Sequence, residues 1–290
     1  MERLSTATTA HVQAPGGWFL NNAGWVAGSE RTLLVDTCAT EARSRHLLGA
    51  VRSASRAPIS AVLTHAHGDH ANGAGLVVRG GGTVAATATA AAEIAAGPHT
   101  LPELFRYDGW GDIDPPAGLE TVTGTTDLDL GGVSAQVVPV PSAAHTGGDL
   151  VVWCPDEGVL FTGDLLFHGV TPLALQGSVL GWLDALAWLE RFSARTLVPG
   201  HGPVVTPQEG LLDAVREYLR WLVDVTGPAR PDFDRLQRRA RELWPRWIDA
   251  ERHAANLRLA HAEQHGEPFD QVTAALAMRD SAGGPIQLDL

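Results

Sequence analysis

The chain has 290 residues, 44% of them hydrophobic, and a formal net charge of −12. The apolar content is enough to bury a full core, and the acidic balance excludes general nucleic-acid binding, which needs a basic surface. No window approaches a membrane span, and residues 1–17 lack the apolar stretch of a signal peptide, so a cytoplasmic protein with no membrane partner is expected.

All 21 basic residues are arginine, and the two cysteines, Cys38 and Cys154, offer no CxxC spacing or disulfide framework. The first ten residues read as a short polar edge segment. Residues 17–27 read as a strand interrupted by the polar pair Asn21-Asn22, and 31–36 as a second strand ending in Asp36. Residues 41–55 have helical spacing, with Leu47, Leu48 and Val51 on one face. After Pro58, the apolar run 59–64 reads as a buried strand.

That strand leads directly into His65-Ala66-His67-Gly68-Asp69-His70. His65 and His67 are two apart at a strand end and can point the same way. Asp69 and His70 fall on the following turn or first helical positions and can aim at a second point nearby. Imidazole and carboxylate together suit a borderline divalent ion such as zinc, and two ligand groups suggest two ions. The structural alternative is a polar strand-to-helix turn with an N-cap aspartate.

Downstream, 80–82 is a glycine turn, 83–86 a short strand, and 87–96 an alanine-rich helix stopped by Gly97-Pro98. The irregular stretch 99–119 reads either as a lid or substrate wall or as a surface loop anchored by aromatics. From 125 to 160, short alternating strands with glycine turns predict a second sheet. His145, Asp164 and His201 each follow an apolar strand-like run and sit in or beside a glycine-containing loop, and so complete two ligand sets. A helix is expected over 182–192, another over 208–225, and one or two more over 232–265 with a break near Pro245. This tail carries Arg235, Arg238, Arg239, Arg241 and Arg246, and reads as a docking patch or as a solvated helix face. The expected division is a catalytic core over 1–206, with 207–290 a helical extension of the same domain.

HAHGDH, then His145, the aspartate of FTGDLLF and the histidine of LVPGHGP together resemble the five-motif pattern of the metallo-β-lactamase superfamily. The resemblance implies an α/β (α+β) fold, an αββα sandwich with a C-terminal helical appendage and a dinuclear site along one edge. It implies that His65, His67 and His145 hold one metal, Asp69, His70 and His201 the other, and that Asp164 bridges both. Two zinc ions are implied, with iron or manganese as alternatives, and Asp69 could also orient or deprotonate the attacking water. Asp36 is expected to hydrogen-bond the metal loop instead of binding metal. Asp164 departs from zinc β-lactamases, where cysteine is common, and His67 departs from flavodiiron proteins, where glutamate stands; both point to a thioesterase-like hydrolase.

Segments 15–24, 35–43 and 163–172 are similar to the actinorhodin-type cyclase/thioesterases of aromatic polyketide pathways. That resemblance implies second-ring aldol closure and release of the product from an acidic acyl carrier protein by thioester hydrolysis. Trp18, Phe19 and His168 are then candidate substrate-binding residues, against ordinary packing roles for the same side chains. The arginine-rich tail is the candidate carrier patch. Competing expectations are a glyoxalase II-like small-molecule thioesterase or lactonase, an iron oxidoreductase of the persulfide dioxygenase kind, and a non-catalytic metal scaffold; an oligomer is possible.

Overall fold

In the computed structural model, which describes residues 1–290, the alternating runs pair into two facing sheets. The first has the order β1 (Glu2–Arg3), β2 (Thr8–His11), β3 (Ala23–Ala27), β4 (Thr32–Val35), β5 (Ile59–Val62), β6 (Thr83–Thr87) and β8 (Glu120–Val122). It is antiparallel from β1 to β4 and parallel from β4 to β8. Parallel neighbours need crossovers, and these are supplied by α1 (Glu41–Ala54), by α2 (Gly68–Ala71) with α3 (Ala74–Arg79), and by α4 (Ala88–Ala95). The second sheet runs β13 (Thr196–His201), β12 (Val159–Phe167), β11 (Leu150–Cys154), β10 (Ser134–Pro139) and β9 (Thr126–Asp129). Only β12 and β13 are parallel there, joined through α5 (Val179–Leu189).

Period-two alternation sorts the core into layers. Leu33, Val35 and Val62 meet Val137, Val152, Val159 and Phe161 between the sheets. Their chain neighbours Leu34, Ala61 and Leu63 face outward onto Leu47, Val51 and Leu76 of the first helical layer. Val151 and Leu160 likewise face outward onto Trp182, Leu186, Val215 and Leu219. The result is the expected αββα arrangement, and its metal loops all leave from one edge.

The C-terminal region adds α6 (Leu211–Thr226), α7 (Phe233–Leu243), α8 (His253–His265) and α9 (Gln271–Ser281). Leu211, Val215, Tyr218, Leu219 and Leu222 give α6 an apolar stripe at i, i+4, i+7, i+8 and i+11, which packs on the second sheet. The sequence left α9 unassigned, along with β14 (Ile286–Gln287), which pairs with β7 (Phe105–Arg106). Helix α5 starts three residues before Trp182 because Ser178 accepts from Gly181 N–H, while the Glu263 carboxylate from α8 accepts from Val179 and Leu180 N–H. The expected strand over 17–27 begins only at Ala23, since Phe19 takes a left-handed backbone (φ 59°) and turns the chain.

One buried histidine gives the appendage a pH signature. His253 is fully buried against Tyr218, whose hydroxyl lies 2.8 Å from its Nδ1. Burial, then Arg241, lower its pKa to about 3. The unfolded chain binds that proton from about pH 6.5 downward, so no stability is lost above pH 6.5. As pH falls from there towards 3, stability declines by about 1.4 kcal/mol per pH unit. Denaturant titrations should show a shallower acid decline for His253→Gln, by about 2 kcal/mol between pH 6.5 and 5. Parallel curves for the two proteins would remove this assignment.

Candidate metal centre

Past the end of β5 at Val62 the chain bends over 64–66, and His65 and His67 lie side by side with ring centroids 4.7 Å apart. His67 (φ −61°, ψ 147°) then opens α2, which puts Asp69 and His70 on its first turn. His145 comes from the loop between β10 and β11, and His201 from the end of β13. Asp164 lies within β12, where the register shifts on either side of Gly163 (φ 50°); the bulge re-aims the carboxylate toward the sheet edge. Close approach fixes Gly200 as well, because a Cβ there would lie 1.8 Å from Asp164 Oδ1.

All seven side chains converge in two groups, His65, His67, His145 and Asp164 in one and Asp69, His70 and His201 in the other, with the donor atoms of each group within 4.8 Å of one another. Asp164 reaches both. Its Oδ1 is 3.0 Å from His70 Nε2, and its Oδ2 is 3.3 Å from His145 Nε2, 3.5 Å from His201 Nε2 and 3.9 Å from His65 Nε2. Asp69 Oδ2 is 3.2 Å from His201 Nε2 and 4.0 Å from His70 Nε2. Ligand atoms about 2.0–2.1 Å from a tetrahedral ion are themselves ~3.4 Å apart, which is the scale of these separations.

The outward nitrogens explain which way each ring offers its lone pair. His65 Nδ1 meets Thr64 Oγ1 at 3.0 Å, His70 Nδ1 meets Asp36 Oδ2 at 2.8 Å, and His145 Nδ1 meets the Leu173 carbonyl at 2.8 Å. His201 Nδ1 meets the Gly16 carbonyl at 2.8 Å, and His67 Nε2 meets the Gln176 side-chain oxygen. With each outward nitrogen donating, the inward nitrogen is a bare acceptor, the form in which imidazole binds metal. His65 Nε2, His70 Nε2 and Asp164 Oδ1 are buried with no hydrogen-bond partner. Orphaned acceptors facing one another are expensive unless a cation lies among them, so the donor set fits a divalent metal.

Electrostatics divide the five imidazoles, pushing three towards the neutral form and two, beside the carboxylates, towards the protonated one. Burial drives the His65 pKa well below its ordinary value, lowers that of His67, and takes His145 to about 3. Burial opposes charge on His70 and His201 too, yet Asp164, Asp36 and Asp69 hold His70 well above its ordinary value, and Asp164 and Asp69 lift His201 to about 9. Against burial, His70 and His201 keep Asp69 down to about 2, and His201, His70 and His145 hold Asp164 well below the carboxylate range.

Asp36 plays its expected part. Its carboxylate accepts from Thr64 N (2.7 Å), Thr64 Oγ1 (2.8 Å) and His70 Nδ1, and so ties the end of β4 to the metal loop.

A cavity of about 240 Å³ opens beside the centre, with Asp69, Asp164, His67 and His201 on its floor. Trp18, Phe19, Leu101, Leu173 and Leu175 supply apolar wall, and Gln176, His99 and Arg252 polar wall. Residues 98–103 of the irregular stretch therefore line it, while Phe105 and Trp110 anchor the stretch against Phe19. Trp18 and Phe19 face the cavity. His168 does not line it: Nδ1 lies 3.2 Å from the Pro203 carbonyl at the partly exposed rim of the fold. β12 ends at Phe167, and Gly169 (φ 71°) turns the chain away from the cavity. Gln176, Leu173 and Arg252 were missed, since no local motif marks them.

Residues 16–201 match the family model of the metallo-β-lactamase superfamily. The chain belongs to this superfamily. Helices α6 to α9 lie beyond the matched region. The superfamily member is 26% identical over 229 residues to the linear primary-alkylsulfatase of Pseudomonas sp. (strain ATCC 19151); the match takes in 66% of this chain and 43% of that one, so the chain spans less than half the length of the relative. Its fold is similar to that of a metallo-β-lactamase from Pontibacter korlensis, with a TM-score of 0.60 and 21% identity, over 75% of this chain and 97% of the other. The metallo-β-lactamase DIM-1 is similar to the same degree, with a TM-score of 0.60 and 18% identity over 76% of this chain and 95% of its own. At these identities the structural likeness is one of fold.

Proposed function

We propose that this metallo-β-lactamase superfamily member is a cytoplasmic dinuclear zinc hydrolase that cleaves a thioester. Its proposed substrate is an aromatic polyketide intermediate on an acyl carrier protein, with aldol closure of a second ring at the same centre. The observation that carries the metal-hydrolase reading is the set of five imidazoles, each with its outward nitrogen held and its inward nitrogen turned towards two carboxylates. His65, His67 and His145 would hold one ion and Asp69, His70 and His201 the other, with Asp164 reaching both; iron or manganese suits the same donors. Bound there, such ions polarise a carbonyl oxygen and bring the pKa of water towards neutrality.

The chain's own residues supply the rest. Asp69 borders the cavity 3.2 Å from His201 Nε2, so it is placed to orient the attacking water. Trp18, Phe19, Leu173 and Leu175 give a flat apolar seat that keeps bulk water from the acyl group. This seat and the similarity of segments 15–24, 35–43 and 163–172 support the polyketide reading. The cavity's modest size, about 240 Å³, favours a second reading, a glyoxalase II-like small-molecule thioesterase or lactonase. Exposed Arg230, Arg235, Arg238 and Arg239 line one groove around α7 on an otherwise acidic protein, which supports docking of an acidic carrier.

One panel tests the proposal. Zinc-loaded protein is assayed on a carrier-bound poly-β-keto thioester, the same acyl group on a small thiol, a lactone, an alkyl sulfate and a β-lactam. The carrier-bound thioester should turn over fastest and yield a bicyclic product. Replacing Arg235, Arg238 and Arg239 together with alanine should lower kcat/KM on it by about tenfold at low salt and leave the small thioester unaffected. Rapid alkyl sulfate hydrolysis with inert thioesters would overturn the thioesterase reading, and unchanged turnover by the triple variant would remove the carrier patch.

A further inference from the structure

Four of the five imidazoles are steered by groups that serve only the fold: Thr64, Asp36 and the carbonyls of Leu173 and Gly16. The fifth is different. His67 is steered by Gln176, a side chain on the segment between β12 and α5 that also lines the cavity. We propose that Gln176 is a positioning residue that fixes the metal-binding form of His67 with its carboxamide oxygen and offers its amide nitrogen to an oxygen atom of the bound acyl substrate. The inference rests on the metal-centre reading and names a residue through which that centre and the substrate meet.

The chemistry follows from one proton. A neutral imidazole carries a single N–H, and the nitrogen that carries it has no lone pair for a cation. His67 turns Nδ1 inward, 2.9 Å from His145 Nε2, and Nε2 outward to Gln176. An acceptor oxygen at Nε2 draws the proton there and leaves Nδ1 bare. A carboxamide has two distinct ends, and committing its oxygen to His67 decides where its two N–H donors go. No acceptor within the chain takes them, and the residue faces the cavity between Leu175 and the metal loop.

The backbone holding Gln176 is itself fixed from the appendage. Asn256 on α8 accepts from Ala174 N–H at 2.7 Å and donates to the Pro172 carbonyl at 2.7 Å, and Arg252 donates to the Thr171 carbonyl at 3.0 Å. The same segment carries the Leu173 carbonyl that steers His145. Two of the three imidazoles in the first group therefore take their orientation from a segment pinned by residues outside the superfamily match.

Two variants separate the roles. Gln176→Leu removes both ends of the carboxamide, and Gln176→Glu keeps an acceptor for His67 but removes the donor. Zinc affinity is read by competition with a chromogenic chelator, the His67 tautomer by imidazole nitrogen chemical shifts in metal-free protein, and folding by thermal unfolding. Gln176→Leu should fold normally, lose the preference for the Nε2–H form, and weaken the zinc site that His67 serves by about 10–100-fold. Gln176→Glu should restore zinc affinity and tautomer yet remain about tenfold down in kcat/KM on the thioester. Wild-type affinity and tautomer in folded Gln176→Leu would overturn the positioning role, and full activity in Gln176→Glu would overturn the donor role. Wild-type protein that takes up no zinc, iron or manganese would overturn the metal-centre reading, and this inference with it.

Discussion

Replacing Asp164 with alanine is expected to abolish metal-dependent hydrolysis, with a loss of roughly 10³-fold or more. Its two oxygens touch imidazoles of both donor groups: one approaches His70, the other His145, His201 and His65. The carboxylate is 5% exposed and is kept ionised by the surrounding imidazoles against burial. Under the dinuclear proposal alanine removes the carboxylate that would offset both cations, so the bound metal should fall from two equivalents to one or fewer. The strand should survive, because β12 is held by backbone pairing to β11 and β13. Metal content by mass spectrometry and thioester turnover check the result together. Full metal occupancy with undiminished turnover would mean that the seven residues are not the working centre.

Asp36→Ala is expected to act on folding first. The aspartate is 2% exposed and sits at φ 60°, a left-handed conformation that alanine adopts at a cost of roughly 1 kcal/mol. Its three acceptor contacts satisfy Thr64 N–H, the Thr64 hydroxyl and His70 Nδ1. Stranding buried donors costs about 1–3 kcal/mol each, and the sum, about 3–5 kcal/mol after relaxation, is a large part of a typical domain's stability. Asp36→Asn tolerates the same φ and keeps one acceptor oxygen, so it should lie between alanine and the wild type. Denaturant unfolding of the metal-free proteins gives the ranking. An alanine variant as stable as the wild type would show that this link between β4 and the metal loop is dispensable.

The parts of the site that the sequence revealed are those whose chemistry is local. HAHGDH packs three imidazoles and a carboxylate into six positions, although the strand before it ends at Val62 and the bend over 64–66 aims His65 and His67. His145, Asp164 and His201 were readable because each follows an apolar run, although Asp164 lies inside β12, where a bulge turns it to the edge. The inner and outer faces of β4, β5 and β12 followed from period-two alternation. His168, one residue past the end of β12, does not line the cavity.

What lay beyond reading depends on partners far apart in the chain. Gln176 and His67 are 109 positions apart, and Leu173 acts on His145 through a backbone carbonyl that any residue type would present. Helix α9 had little amphipathic signal because it buries small side chains, Ala274 and Ala275, with Met278 against Phe19, Leu173 and Leu175. The sequence by itself determined the donor types, the strands that carry them and the superfamily pattern. Only the tertiary structure decided which nitrogen of each ring faces inward, where the cavity opens and which walls enclose it. Donor chemistry is a property of single residues, whereas ring orientation and cavity shape are set by packing and hydrogen bonds between segments that meet only once the chain has folded.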